Sequence, residues 1–221
     1  MTARLYQFAG SPYCAKVRKI LDFKGIDYEI IEVDYLERKE LLAASGQLMV
    51  PALTLDGGET IVDSARIALR LEELHPEPTL LPAGWRGMHR VLADYIDNQL
   101  EDALFRAAIP DELAHWRERG SDRAAFWRLV RERKFGAGFV DRMIDGHEAE
   151  MTRAAAALAP FEEALGERPF MLGRLGLADF ALYGQLYFFA FRGALKIPAD
   201  LVNLRAFFGR MDRISSVPEP L

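Results

Sequence analysis

The chain of 221 residues has a single cysteine, Cys14, which excludes an internal disulfide and is typical of a reducing compartment such as the cytoplasm. No apolar run approaches the ~20 residues that a membrane-spanning helix requires. Its four histidines are scattered, so a structural zinc site is not expected. The formal net charge of −5 argues against a general nucleic-acid-binding role. These absences predict a cytoplasmic protein without a metal, membrane or nucleic-acid partner.

The secondary-structure patterns of the sequence differ between its first and second parts. Up to about residue 80, strand and helix patterns alternate in the order βαβ, a weakly helical stretch, then ββα, which predicts a mixed sheet covered by helices. Strands are expected at Leu5–Phe8, Tyr28–Val33, Ala52–Leu55 and Glu59–Val62, the last two joined by a hairpin at Asp56-Gly57-Gly58. Helices are expected from Tyr13 to Phe23, ending at Gly25, and from a cap at Ser64 to Leu74.

The second half has almost no strand pattern. A stretch rich in proline and glycine, His75 to Trp85, reads as a linker. Helical patterns follow it, approximately at 86–109, 122–134, 138–165, 178–192 and 203–212. We therefore expect an α/β domain at 1–80 and an all-α domain at 86–221.

The most informative motif is Ser11-Pro12-Tyr13-Cys14, which follows the first strand and opens the first helix. It places a hydroxyl and a thiol about one turn apart at a helix N-terminus, where free N–H groups and the helix dipole favour negative charge. A thiolate is stabilised in such a place, whether it belongs to the protein or to a ligand. Further along, Val50-Pro51 precedes the hairpin, and Asp63-Ser64 opens the next helix as a possible carboxylate site.

In this order and spacing, these features resemble the glutathione transferase superfamily. The resemblance covers the whole chain and implies a thioredoxin-like domain followed by a helical-bundle domain. It also implies glutathione as co-substrate, a small hydrophobic electrophile as second substrate, and a homodimer.

The resemblance also assigns roles to individual residues. Ser11 would donate a hydrogen bond to the glutathione sulfur, which makes it the expected catalytic residue. Val50, before a cis Pro51, would pair with the glutathione backbone, while Asp63 and Ser64 would bind the ammonium and carboxylate of its γ-glutamyl end. Met49 stands where the family often has a lysine, so Lys39 or Arg38 would reach the glycine carboxylate instead. Cys14 completes the expected set of glutathione-binding residues.

Two alternatives remain open from the sequence. If Cys14 is exposed, its thiol could form a mixed disulfide with glutathione, and the protein would then act as a thiol reductase or lyase. The fold could also serve a non-catalytic glutathione-binding interaction module, since a fold does not by itself imply an activity.

Four further interpretations concern other parts of the chain. Tyr6 is expected to pack in the sheet, and Asp179 to cap a buried helix, although Gly176 replaces the usual Ser or Thr of a capping box. A basic run from Arg117 to Lys134 indicates either a solvated helix face or a rim for an anionic ligand. Candidate residues for the electrophile pocket are Trp116 first, then Tyr95, Phe105, Phe126, Trp127 and Phe135.

Overall fold

The computed structural model of the chain describes residues 2–191 and 196–214. The first part contains β1 (Ala3–Gln7), α1 (Pro12–Lys24), β2 (Tyr28–Glu32), α2 (Lys39–Ser45), β3 (Ala52–Thr54), β4 (Thr60–Val62) and α3 (Ser64–Leu74). The strands form one sheet in the order β2-β1-β3-β4, in which β1 and β2 are parallel and the other pairs antiparallel. The predicted mixed sheet with helices is confirmed.

The rest of the described chain is helical, as predicted. It contains α4 (Arg86–Tyr95), a π-helical turn (Ile96–Leu100), α5 (Glu101–Glu118), α6 (Ser121–Phe135), α7 (Phe139–Asp145), α8 (His147–Glu167), α9 (Leu177–Ala190) and α10 (Val202–Asp212). None of the helices that the structure describes is long and apolar enough to cross a membrane.

Two of the predicted helix bounds are wrong. Helical structure continues from residue 86 to 118 through the π-helical turn and Pro110, where the sequence indicated an end at 109. The predicted helix at 138–165 is two helices, which meet at Gly146. The expected end of α9 at residue 192 lies outside the described residues.

The chain folds as two compact units. One comprises residues 1–97 together with 160–221, and the other residues 98–159. The domain boundary expected between residues 80 and 86 stays a prediction.

In the first unit α1 packs against α9, and one face of the sheet packs against α2. Tyr6 is 2% exposed and packs with Val33, Leu41 and Ala52, which confirms it as a residue of the sheet core. A Cβ at Gly184 would lie 2.4 Å from the Pro12 carbonyl oxygen, so the absence of a side chain there lets α9 approach the first turn of α1.

Asp179 is buried at the N-terminus of α9. One of its carboxylate oxygens accepts the Met171 N–H at 2.8 Å and the other the Gly176 N–H at 2.9 Å. The place of the usual N-cap side chain is taken by His89 of α4, whose Nδ1 accepts the Ala178 N–H at 3.4 Å. A Cβ at residue 176 would lie 2.4 Å from this imidazole, which explains the glycine.

The second unit packs α5, α6 and α7 around aromatic rings. The Phe135 and Phe139 rings are 4.4 Å apart, and Trp127 is fully buried, so Trp127 belongs to the core and does not line an open pocket. In the basic run, Arg128 forms a bidentate pair with Asp141 at 2.9 and 3.0 Å, and Arg131 lies 4.8 Å over the Trp127 ring. Part of this run therefore stabilises the fold; the interpretation as an anion-binding rim stays a prediction.

Candidate active site

Three of the predicted features lie at one end of the sheet. The residue pairs Tyr6–Ala52 and Ala52–Val62 align the C-terminal end of β1 with the N-terminal end of β3 and the C-terminal end of β4. The loop to Ser11 leaves β1 at this end, Val50-Pro51 enters β3 there, and Asp63-Ser64 follows β4. Adjacent strands lie about 4.8 Å apart, so these features spread over roughly 10 Å, which matches an extended tripeptide.

Ser11 is the N-cap of α1. Its backbone is extended (φ −70°, ψ 126°), and its half-buried hydroxyl oxygen accepts the Cys14 N–H at 3.4 Å. Because the hydroxyl acts as an acceptor in this bond, its own proton remains available to donate to a ligand atom. Pro12 follows at the first helical position, where the absence of an N–H costs no hydrogen bond.

Cys14 lies beneath the first turn of α1 and is completely buried. Burial raises the pKa of its thiol to about 11, against smaller opposing effects of hydrogen bonds with Ser11 and Phe8. At neutral pH the side chain is therefore a neutral thiol packed in the core. The exposure that a mixed disulfide at Cys14 would require is not present.

The Val50–Pro51 peptide bond is cis, as the resemblance implied. Val50 is half-buried and packs against the cluster around Tyr6 and Leu41. It precedes Ala52, the first paired residue of β3, so its backbone N–H and C=O lie outside the sheet ladder. These two groups are placed to pair with an extended peptide ligand.

Asp63, and not Ser64, is the N-cap of α3, which corrects the sequence-based expectation. Its Oδ1 accepts the N–H groups of Ala65 and Arg66, each at 3.0 Å, and its φ of 73° is rare for a residue other than glycine. Its negative charge also interacts favourably with the dipole of α3. Asp63 is exposed, and Ser64 follows as the first helical residue, buried.

The segment before Val50 is held by Arg38 and Gln47. The Arg38 guanidinium donates to the Leu48 carbonyl at 2.9 Å and lies 5.1 Å over the Phe8 ring. The Gln47 amide bonds to both backbone groups of Met49. Met49 is 71% exposed, and Lys39 is exposed at the start of α2. Arg38 makes these contacts with Leu48 and Phe8, whereas Lys39 does not.

Three polar side chains that the motifs did not indicate converge on the loop before Ser11. Glu32 ends β2, Gln7 ends β1, and Arg18 lies in α1. They are 11 to 25 positions apart, so local patterns do not connect them. The signal that could have found Glu32 is topological, because parallel strands bring their carboxyl ends to the same edge of a sheet.

Two family models match the chain. "Glutathione S-transferase, N-terminal domain" matches residues 5–79, and "Glutathione S-transferase, C-terminal domain" matches residues 101–210. The first match contains Ser11, Val50-Pro51 and Asp63-Ser64.

Curated relatives include two with similar coverage. A maleylacetoacetate isomerase of Pseudomonas aeruginosa is 28% identical over 83% of this chain and 80% of its own length. A zeta-class glutathione S-transferase of Euphorbia esula is 27% identical over 76% of this chain and 82% of its own length.

Solved structures show the same architecture. A glutathione S-transferase of Ceriporiopsis subvermispora in complex with glutathione superposes with a TM-score of 0.78 at 19% identity, covering 100% of both chains. One from Rhodospirillum rubrum superposes with a TM-score of 0.73 at 25% identity, covering 96% of this chain and 88% of that one. With family models matched on both sides of the linker and this fold throughout, the chain belongs to the glutathione S-transferase superfamily.

Proposed function

We propose that this protein is a glutathione-dependent transferase or isomerase in which the Ser11 hydroxyl stabilises the glutathione thiolate. The observation that carries the proposal is the placement of Ser11, Val50 and Asp63-Ser64 at one end of the sheet, on three adjacent strands. Ser11 has a proton to donate, Val50 has backbone groups outside the ladder, and Asp63-Ser64 offers a carboxylate beside the N–H and hydroxyl of Ser64 at the start of α3.

Each part of the ligand has a counterpart in this arrangement. The γ-glutamyl ammonium faces Asp63, and its carboxylate binds the N–H and hydroxyl of Ser64 at the start of α3. The cysteinyl backbone pairs with Val50, which Pro51 orients. The glycine carboxylate lies toward Met49 and Lys39. Cys14, being buried, supports the turn from below and does not touch the sulfur.

Thiolate formation is the chemical task of Ser11. A free thiol has a pKa near ~8.5, so most of it is protonated at neutral pH. A hydrogen bond from Ser11, together with the N-terminus of α1, favours the anion and lowers that pKa. The thiolate then attacks an electrophilic carbon held beside it.

The second substrate belongs to the class of small hydrophobic electrophiles. The name of one relative, maleylacetoacetate isomerase, directs attention to enones. A thiolate that adds to the double bond of an enone allows rotation about the resulting single bond, and its expulsion restores the double bond in the trans form. The same nucleophile displaces a halide when the electrophile carries that leaving group.

The test compares Ser11→Ala with Cys14→Ala. We expect Ser11→Ala to lower turnover of a chlorinated nitroaromatic or a cis-enone about 100-fold while glutathione binding, measured by calorimetry, persists. Cys14→Ala should keep most activity. Loss of activity only in Cys14→Ala would support a thiol reductase or lyase, and absence of turnover with intact glutathione binding would support a binding module. Absence of glutathione binding would contradict the proposal.

The proposal includes a cytoplasmic homodimer. An apolar stripe on α4 supports self-association. It comprises residues that are 48 to 64% exposed: Met88, Val91 and Tyr95, and Trp85 just before the helix. Contiguous exposed apolar residues of this kind mark interaction surfaces. A reducing location agrees with the single buried thiol.

A further inference from the structure

The loop between β1 and α1 is held at Ala9 by two charged side chains. The Ala9 N–H donates to Glu32 Oε1 at 2.7 Å, and the Ala9 carbonyl accepts from Arg18 Nη2 at 3.4 Å. Gln7 connects the two, since its Nε2 donates to Glu32 Oε2 at 3.0 Å and its Oε1 accepts from Arg18 Nη1. We call Glu32, Gln7 and Arg18 the Ala9 clamp.

The other side of the loop is closed by Phe191, which directly follows α9. A Cβ at Gly10 would lie 2.8 Å from a ring carbon of Phe191, so the ring fills the space beside the loop. The Arg18 guanidinium lies 5.1 Å from the centre of the Tyr187 ring. The clamp therefore fixes the loop from β2 and α1, while the aromatic end of α9 restricts its movement in the other direction.

Ser11 belongs to the same turn. Its N–H donates to the Phe8 carbonyl at 3.0 Å, so residues 8 to 11 form one hydrogen-bonded unit with Ala9 inside it. A shift of the Ala9 peptide moves the Ser11 hydroxyl with it. Catalysis that depends on the direction of a single hydrogen bond is sensitive to displacements well below 1 Å.

We propose that Glu32 is a positioning residue for Ser11, acting through the Ala9 clamp. This inference rests on the proposed function of Ser11. Glu32 does not touch the sulfur. It holds the Ala9 N–H by a charge-assisted hydrogen bond and orients Gln7, and thereby sets where the hydroxyl proton points.

The experiment compares Glu32→Ala with Glu29→Ala. Glu29 is a matched control, since it is an exposed glutamate of the same strand. With glutathione and a chlorinated nitroaromatic, we expect Glu32→Ala to lower kcat roughly tenfold and to change the glutathione KM less than twofold. Glu32→Gln keeps an oxygen that accepts the Ala9 N–H and should recover most of kcat. Glu29→Ala should match the parent.

A double-mutant cycle with Ser11→Ala separates positioning from a merely structural role. If Glu32 acts through Ser11, Glu32→Ala lowers kcat in the parent but causes no further decrease in Ser11→Ala. An equal decrease in both backgrounds, or a Glu32→Ala kcat equal to that of Glu29→Ala, would overturn the inference. Should Glu32→Ala fail to fold, Glu32→Asp, one methylene shorter, must show the kcat decrease instead.

The outcome for Ser11 distinguishes the two proposals. If Ser11→Ala itself retains full activity, the proposed function of Ser11 fails, and the positioning role fails with it. If Ser11→Ala loses activity as expected and the Glu32 variants behave like the parent, only the positioning role fails.

Discussion

Ser11 and Cys14 lie one turn apart and have opposite environments. The hydroxyl is half-buried at the helix N-terminus, whereas the thiol is fully buried with a pKa of about 11. A thiol reacts as its thiolate, so burial removes Cys14 from chemistry at neutral pH. The sequence places both residues in the motif, but burial separates their roles.

Asp63 combines a folding role with an expected binding role, and one substitution separates them. Asp63→Asn keeps an oxygen that can accept the N–H groups of Ala65 and Arg66 but removes the negative charge. We expect glutathione affinity to fall roughly tenfold, because the ligand ammonium loses its counter-charge, and stability to fall by less than about 1 kcal/mol. Calorimetric titration and thermal melting measure the two effects.

The control for Asp63 is an exposed aspartate away from the sheet end, Asp27. Asp27→Asn removes the same charge and should leave glutathione affinity unchanged. Equal affinities in the Asp63 and Asp27 variants would show that the Asp63 charge does not contribute to binding.

Residue positions were predictable from sequence where a local motif fixes them. Ser11 lies at the start of the first helix, as its motif predicted, and Pro51 is cis, as the family resemblance implied. The cap at Asp63 was missed by one position because both Asp and Ser are good N-caps. Glu32 could not be found in this way. Its side chain reaches the Ala9 N–H only because β1 and β2 pair in parallel, and no local motif contains both residues.

At the scale of elements, the helices show where local rules are overridden. Pro110 predicts a helix end, yet α5 continues to Glu118. Buried residues on both sides, Ile109 and Leu113 among them, keep the helix packed across the missing hydrogen bond. The helix boundary at Gly146 was missed because the apolar pattern continues across it. Tertiary packing, which a single sequence does not display, decides both cases.

Asp179 gives the sharpest stability prediction for an element. Asp179→Ala leaves two buried N–H groups, of Met171 and Gly176, without their acceptor. Each such group costs about 1–3 kcal/mol, so we expect a loss of about 2–6 kcal/mol in the free energy of unfolding. Denaturant unfolding measures this, with the exposed Asp27→Ala as control. A difference below 0.5 kcal/mol from the control, roughly the effect of an ordinary surface change, would contradict the role.

The effect of Asp179 should also depend on pH. Burial raises its pKa from 3.8 to about 7, against the opposing hydrogen bonds from Met171 and Gly176. Between pH 4 and 7 the folded state therefore binds more protons at this group than the unfolded state, and the stability it contributes decreases as pH rises. The difference in unfolding free energy between parent and Asp179→Ala should be larger at pH 5 than at pH 7.5. A difference that grows with pH would contradict this sign.

For the whole molecule, the apolar stripe on α4 decides the expected assembly. His89 and Ala93 face the core of their unit, while Met88, Val91 and Tyr95 lie on another side of the helix and are exposed. Positions three and four apart share a helix face, so the three residues form one continuous surface. Two copies related by a two-fold axis would cover it with the same residues from each chain.

We expect the parent to sediment at about twice the chain mass of 25.0 kDa at micromolar concentration. The double variant Met88→Glu/Val91→Glu should shift it toward the monomer, because burying the stripe would then require burying two like charges against their symmetry mates. Arg90→Glu is the matched control, since it adds a glutamate at an exposed position on another side of the same helix. A parent that sediments as a monomer, or equal dimerisation of the double variant and the control, would contradict self-association through this surface.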